Sequence, residues 1–355
     1  LTSPRSRKAQ AFERQLQDYL RAHEGLESFT ESLQVLAVHK GRTVYRGQFG
    51  KNYRYYDLAS LTKILFTTLA VMDLTEQKRF SLKKSIRDLW PQMKGNAQVL
   101  HLLTHQAGLD WWQPFYKEMN VTATMSERWQ HLEHLLTEQK TKVRAKSVYS
   151  DLDLFVLGVL LMKTQELTLL DLFTQTRRRF GLKELFFHPN NEPLYPRQEY
   201  APTELCPWRG RVLRGEVHDE NAWSLGGVST HAGLFGSLDG VGYFLKLIRS
   251  CYRGESRKLQ KRTLRLFAQR KMPERFGDFG YGFMLPTRGR ASCGQHFSPR
   301  SFGHTGFTGT SLWYDPDHDF GVGLLSNRVH PHRENRRFLD LRPLLHDWLF
   351  ENFIE

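Results

Sequence analysis

A chain of 355 residues, 40% hydrophobic and 25% charged, is long enough for two domains or one large two-part domain with a substantial core. The formal net charge of +14 and a pI near 9.7 favour anionic partners. The Lys and Arg are scattered, however, and no RNP box, zinc finger or basic zipper accompanies them, so a solvated basic surface is expected and no nucleic-acid partner.

The longest apolar stretch, Leu61 to Leu74, is broken by Lys63 and Asp73 and is too short to span a bilayer; it reads as a buried helix, and no transmembrane segment is expected. Cys206, Cys251 and Cys293 are odd in number and widely spaced, which argues against a disulfide framework. The chain does not begin with Met and shows no signal-peptide pattern, so a cleaved leader and a trimmed start are both compatible with it.

Residues from Arg7 to about His23 place Phe12, Leu16, Tyr19 and Leu20 on one helical face. A strand over Leu33–His39, the turn residues Lys40-Gly41-Arg42 and a second strand from Thr43 form a hairpin. Ser311–Tyr314 and Phe320–Ser326 flank the turn Asp315-Pro-Asp-His and form another. A last amphipathic helix from about Glu334 to Phe353 buries Phe338, Leu341, Leu345, Trp348 and Leu349. Strands at both ends and helices between predict an α/β (α+β) fold. Its central antiparallel sheet, flanked by helices, comes from both termini (1–80 and 225–355), and a mostly helical lobe is inserted at 81–224. The site is expected in the cleft between the two parts.

Ser60-Leu-Thr-Lys63 opens the apolar helix. Residues three apart share a helical face, so the amine can reach the hydroxyl, and a helix N-terminus favours developing negative charge. A serine hydroxyl needs such a neighbour to become a nucleophile. Downstream stand Val148-Tyr149-Ser150-Asp151, ahead of an apolar segment, and His304-Thr305-Gly306, ahead of a strand. In this order the three motifs resemble class C β-lactamases and their esterase and D-peptidase relatives, the penicillin-binding-protein-like serine hydrolases. Leu102–Leu109 and Gly233–Ser237 are similar to further segments of that family, and the resemblance runs from about Ser32 to Trp348.

The resemblance implies that Ser60 is acylated, that Lys63 and Tyr149 share the base work, and that the backbone N–H groups of Ser60 and Phe307 form the oxyanion hole. It places Thr305, Gly306 and His304 along the substrate side of the cleft. Two positions depart from the family pattern: Asp151 stands where Asn is usual, and His304 where β-lactamases have Lys. A carboxylate at 151 favours the Lys63 ammonium, and that ammonium in turn favours a Tyr149 phenolate, the group titrating as a coupled set. Loss of the fixed cation at 304 predicts poor turnover of β-lactams.

The segments Ala201–Glu204, Trp208–Gly210, Gly215–Ala222, Gly303–Thr310 and Ser326–Pro331 are similar to a bacterial branch tied to cell-wall turnover, in which an amidase removes the peptide from N-acetylmuramic acid. The expectation is therefore a hydrolase acting through an acyl-enzyme on muropeptides, with His218, Asn221 and Arg328 as substrate contacts and neither metal nor cofactor. An esterase, a D-amino-acid peptidase, a β-lactamase or a non-catalytic sensor of wall fragments are the alternatives on the same fold. Anionic wall polymer is a candidate partner, and a periplasmic or secreted location is preferred to a cytoplasmic recycling role. The run His218-Asp219-Glu220 reads equally as a hydrogen-bonded polar loop and as a substrate-binding loop. His101 and His105 are read as loop packing rather than as metal ligands, and Trp111-Trp112 as buried or as a platform for a sugar face.

Overall fold

The computed structural model describes residues 6–355. Ser6 caps the first helix, α1 (Arg7–Ala22), by accepting from the Ala9 N–H, and that helix buries Phe12, Leu16 and Leu20 as its periodicity predicts. Strands β1 (Ser32–His39) and β2 (Arg42–Gly50) form the first hairpin, with Lys40 and Gly41 both at positive φ in its turn. Near the other end lie β3 (Phe302–Thr305), β4 (Ser311–Asp315) and β5 (Phe320–Ser326). These five strands make one antiparallel sheet in the order β3-β4-β5-β1-β2, so the two chain ends meet where β1 pairs with β5, with Val35 opposite Leu324.

Alternation along β1 sends Leu33, Val35 and Ala37 to one face and Leu36 and Val38 to the other. The first face is covered by α1 and the C-terminal helix (Arg337–Phe353), which contributes Phe338, Leu341, Leu345 and Leu349. The other is covered by the helix Leu238–Arg253, and its apolar cluster runs on without a break into the helices between the two strand groups, through Leu132, Phe155 and Phe173. Among the inserted helices, Asp151–Gln165 is almost wholly buried, in keeping with a segment apolar on every side. All three cysteines are buried and unpaired. Among the described residues, no helix is long and apolar enough to cross a membrane.

Candidate active site

The Ser60 turn is held from below by one buried carboxylate. Asp57 Oδ1 accepts the Ala59 N–H at 2.8 Å and Oδ2 accepts the His218 N–H at 2.7 Å, while the Asp57 carbonyl accepts from the Thr308 hydroxyl at 2.8 Å. Ala59 sits at φ +46°, a left-handed conformation costly for a residue with a Cβ, and these bonds hold it there. The chain then passes through a tight turn (Ala59–Leu61) and a widened, π-helical segment (Lys63–Thr68) before the regular helix Leu69–Glu76.

Lys63 is buried, and its Nζ donates to Ser60 Oγ at 3.0 Å and to the His231 carbonyl at 3.0 Å, with Asp151 at 2.8 Å. Tyr149 reaches Ser60 from the other side, its hydroxyl donating to Oγ at 2.9 Å. Ser150 caps the helix that starts at Asp151 by accepting from the Asp153 N–H and donating to the Asp110 carbonyl at 2.6 Å, which fixes Tyr149 and Asp151 on either side of it.

Burial works against the Lys63 ammonium, yet Asp151 and Tyr149 outweigh it and hold the amine above its ordinary range. Burial pushes the Tyr149 phenol up, and the Lys63 charge only partly opposes this. The resting site therefore holds an ammonium and a neutral phenol; the ammonium follows from Asp151 as expected, but the phenolate does not persist. Asp153 lies behind the pair in contact with His105, Oδ2 to Nδ1 at 3.1 Å, and the His105 ring packs 4.9 Å from that of Tyr149. His105 Nδ1 also accepts the Ser150 N–H, so it is Asp153 that carries the shared proton, in line with burial raising the Asp153 carboxyl well above its usual range.

The cavity in front of Ser60 has a volume of about 860 Å³ and is also lined by Tyr149, His304, Thr305, Gly306, Phe307 and Arg328. Gly306 is required where it stands, because a Cβ there would run into Thr310 and the Leu58 carbonyl. His304 gives its Nδ1 proton to the Thr305 carbonyl at 2.8 Å, and burial pushes its pKa down to about 3, so it is neutral at physiological pH. Phe307, 49% exposed, has its ring between His218 (centroids 5.7 Å apart) and the Arg328 guanidinium (4.7 Å).

Two expected substrate contacts are instead structural. Asn221 is buried, its Oδ1 accepting the Tyr116 N–H at 2.9 Å and its Nδ2 donating to the Gln113 carbonyl at 2.8 Å. His218 is buried with Nε2 against Glu204 at 3.0 Å. The 218–220 segment is thus a hydrogen-bonded loop: Asp219 caps a short helix and meets His231, and Glu220 pairs with Arg333. His101 accepts the Gln98 N–H at its own helix start, apart from the His105–Asp153 pair. Trp111 is 65% exposed, and its carbonyl accepts the Asp151 N–H. With Trp112, Tyr116, Trp208 and Trp223 it forms a run of rings in successive contact, 4.7–6.4 Å between centroids.

Sequence reasoning missed Asp57, Asp153 and the Glu204–Arg333 pair. A buried acid is invisible to periodicity, although Asp57 three residues before Ser60 was open to notice.

A serine hydroxyl shared by an amine and a phenol, at a turn before a buried helix and beside a five-stranded antiparallel sheet, is the arrangement of a serine hydrolase. The Beta-lactamase family profile matches residues 11–344, and the chain belongs to that family. It is 30% identical over 307 residues to a putative D-alanyl-D-alanine carboxypeptidase of Salmonella typhimurium, covering 78% of this chain and 69% of that protein. It is 28% identical over 340 residues to an N-acetylmuramyl-L-alanine amidase of Bacillus subtilis, covering 83% and 77%. Among solved structures, EstCE1, a hydrolase with promiscuous acyltransferase activity, superposes with a TM-score of 0.73 at 19% identity, covering 97% of this chain and all of that one. The octameric penicillin-binding protein homologue of Pyrococcus abyssi gives 0.67 at 18% identity, covering 94% and 76%.

Proposed function

We propose that the protein is an amidase that cleaves the bond between the lactyl group of N-acetylmuramic acid and L-alanine in muropeptides, with Ser60 as nucleophile. The observation that carries the catalytic part is the placement of Ser60 Oγ 3.0 Å from Lys63 Nζ and 2.9 Å from the Tyr149 hydroxyl at the floor of an open cavity. Both neighbours donate to Oγ in the resting state, so attack begins when Tyr149 gives up its proton to solvent and becomes a phenolate beside the Lys63 ammonium. Tyr149 then takes the Ser60 proton as Oγ adds to the carbonyl, and the Lys63 ammonium lowers the cost of the phenolate. The backbone N–H groups of Ser60 and Phe307 receive the oxyanion. Tyr149 hands that proton to the leaving amine, then draws one from the water that attacks the acyl-enzyme and returns it to Ser60 Oγ as the acid departs.

The substrate assignment is supported by the likeness to the Bacillus subtilis amidase, which spans most of both chains. It is also supported by the exposed Trp111 and the rings that follow it, which offer flat faces for a pyranose beside the helix that carries Asp151. Thr305 and Gly306 line the cavity as substrate contacts, together with Arg328.

The test is incubation of the purified protein with MurNAc–L-Ala-peptide, the intact disaccharide peptide and nitrocefin, read by mass spectrometry and absorbance. Release of free peptide from the first supports the reading. Rapid nitrocefin hydrolysis without peptide release refutes it. The second reading, a D-alanyl carboxypeptidase, is favoured by the Salmonella relative and is recognised in the same assay by release of D-alanine.

A further inference from the structure

Lysine and arginine run the length of this chain, but the acids that would offset them do not. From Arg257 to Lys271 stand seven Lys and Arg and no Asp or Glu, so half of the net charge of +14 lies in fifteen residues. The segment forms a loop and the helix Lys261–Ala268, which buries Thr263, Leu264, Phe267 and Ala268. Lys261, Arg262 and Arg265 are left on the outside, and Arg257 is exposed in the loop before them. Arginines close by are matched by acids: Arg249 by Asp319, Arg253 by Glu255 and Arg270 by Asp278. Among the described residues, none of the four exposed cations makes an ion pair.

Two of them stand where helix formation disfavours them. Lys261 and Arg262 occupy the first turn of their helix, which holds no acid and has no side-chain cap. A cation there opposes the helix dipole and costs stability. Among the described residues, the acid that reaches this end is Glu76, which accepts the Gln260 N–H at 2.9 Å and pairs with neither cation.

The charge extends beyond the segment. The last turn of the helix Leu169–Phe180 carries Arg177, Arg178 and Arg179. Arg179 joins the two parts, with Nε 2.7 Å from Asp73 and Nη2 donating to the Lys258 carbonyl at 3.4 Å, while Lys258 Nζ donates back to the Phe180 carbonyl at 2.7 Å. Arg178 beside them is exposed. In the other direction the Lys271 N–H donates to the carbonyl of Phe279, a residue of the Ser60 cavity wall.

The rest of the surface narrows the partner. Its rings are covered by its own cations: Arg265 lies over Tyr252, 4.8 Å from the centroid, and Lys271 over Tyr281 at 4.3 Å. They are not open faces on which a nucleic-acid base could stack. The helix turns its apolar side inward, and its exposed apolar residue, Leu266, is too little to enter a lipid layer. What remains is charge, mostly guanidinium, whose planar fork matches a pair of phosphate oxygens.

We infer that residues 257–271, with Arg178 beside them, bind a linear polyphosphodiester, a polymer of repeating phosphates without bases. The face holds the enzyme on such a polymer while the Ser60 cavity stays open for its substrate. It takes no part in the reaction, so the inference stands whichever bond Ser60 cleaves.

The test uses the full chain and a fluorescent synthetic oligo(glycerol phosphate) of about twelve units, followed by anisotropy at about 50 and about 200 mM salt. Contacts to about five phosphates give a slope of about −3.5 in log K against log salt, so binding weakens about 100-fold between the two conditions. Lys261→Gln/Arg262→Gln/Arg265→Gln should flatten the slope by about 2 and weaken binding at the lower salt by at least about tenfold. It should melt no lower than the wild type, because two of the cations removed oppose the helix dipole. Arg7→Gln/Lys8→Gln/Arg14→Gln removes the same charge from α1, across the sheet from the helix Leu238–Arg253 to which Arg265 bonds. This second variant should change the affinity by less than about twofold.

Equal weakening by the two triple variants shows attraction to net charge alone and overturns the proposal. Tighter binding, phosphate for phosphate, to vesicles with about 30 mol% phosphatidylglycerol or to single-stranded DNA also overturns it, and gives the face to a lipid surface or a nucleic acid. Should the first variant not fold, Arg262→Gln/Arg265→Gln serves, with a slope flatter by about 1.4. The salt slope and the competing ligands are read on the wild type, and a slope flatter than about −1 there refutes the proposal without any variant.

Discussion

Replacing Asp151 by Asn is the most informative change at the catalytic pair, because it removes a charge and keeps the shape. The Asp151 carboxylate lies 2.8 Å from Lys63 Nζ, and it raises the pKa of both Lys63 and Tyr149. Two unit charges at that distance attract by about 6 kcal/mol at an effective dielectric of 20. That is an upper bound here, since the carboxylate is 17% exposed and its loss lets water and neighbouring dipoles readjust. A realistic shift is about 1–3 pKa units, the range for a close opposite charge.

The sign follows directly. Asp151 holds protons on the pair, so its neutralisation lets the pair reach its basic form at lower pH. The rising limb of kcat/KM against pH therefore moves toward acid by about 1–3 units in Asp151→Asn. The assay is hydrolysis of an activated ester such as p-nitrophenyl acetate over about pH 6–10, with the rate of Ser60 labelling by a fluorophosphonate as a second reading of nucleophile ionisation. A limb that stays in place while the rate falls would show that Asp151 acts by contact with substrate or by structure alone, and the electrostatic account of this site would be wrong.

Ser60→Ala should abolish turnover and fluorophosphonate labelling while retaining a wild-type melting curve, with a residual rate of about 10³-fold over water from the remaining site. Lys63→Ala and Tyr149→Phe should each lower kcat by several orders of magnitude and the double variant by little more, because they act as one unit; additive losses in steady-state kinetics would show separate roles. Asn221→Ala should leave the pH profile alone but strand the Tyr116 N–H and the Gln113 carbonyl, costing about 1–3 kcal/mol in denaturant unfolding. His304→Gln should leave the profile between about pH 5 and 7 unchanged, since the imidazole titrates near 3 and is uncharged throughout that range; a lost inflection would show that it carries charge.

The outline of the fold was legible because its signals are local. Both hairpins announced themselves by alternating apolar residues around Lys40-Gly41 and Asp315-Pro-Asp, and the first and last helices by their stripes. Ser60, Lys63 and Tyr149 were found by motif and by likeness to a family, and the distances bring them together. What stayed hidden depends on which buried polar group meets which. Asn221 and His218 look like cleft residues on paper, yet the backbone of Gln113 and Tyr116 consumes the first, and the carboxylates of Asp57 and Glu204 consume the second. For Trp111 the sequence left burial and exposure both open, and the loop turns the ring out.

The pairing of β1 with β5 also bears on when the molecule becomes chemically competent. Synthesis delivers Ser60, Lys63 and Tyr149 early, but the strand that closes the sheet beside β1 is followed at once by Arg328, and Arg342 comes after that. A nascent chain halted before residue 320 carries Ser60, Lys63 and Tyr149 and yet lacks β5, the helix Arg337–Phe353 and much of one cavity wall. Contacts of such long sequence separation form late and slowly. A chain cut short before β5 should therefore be inert rather than an unregulated enzyme.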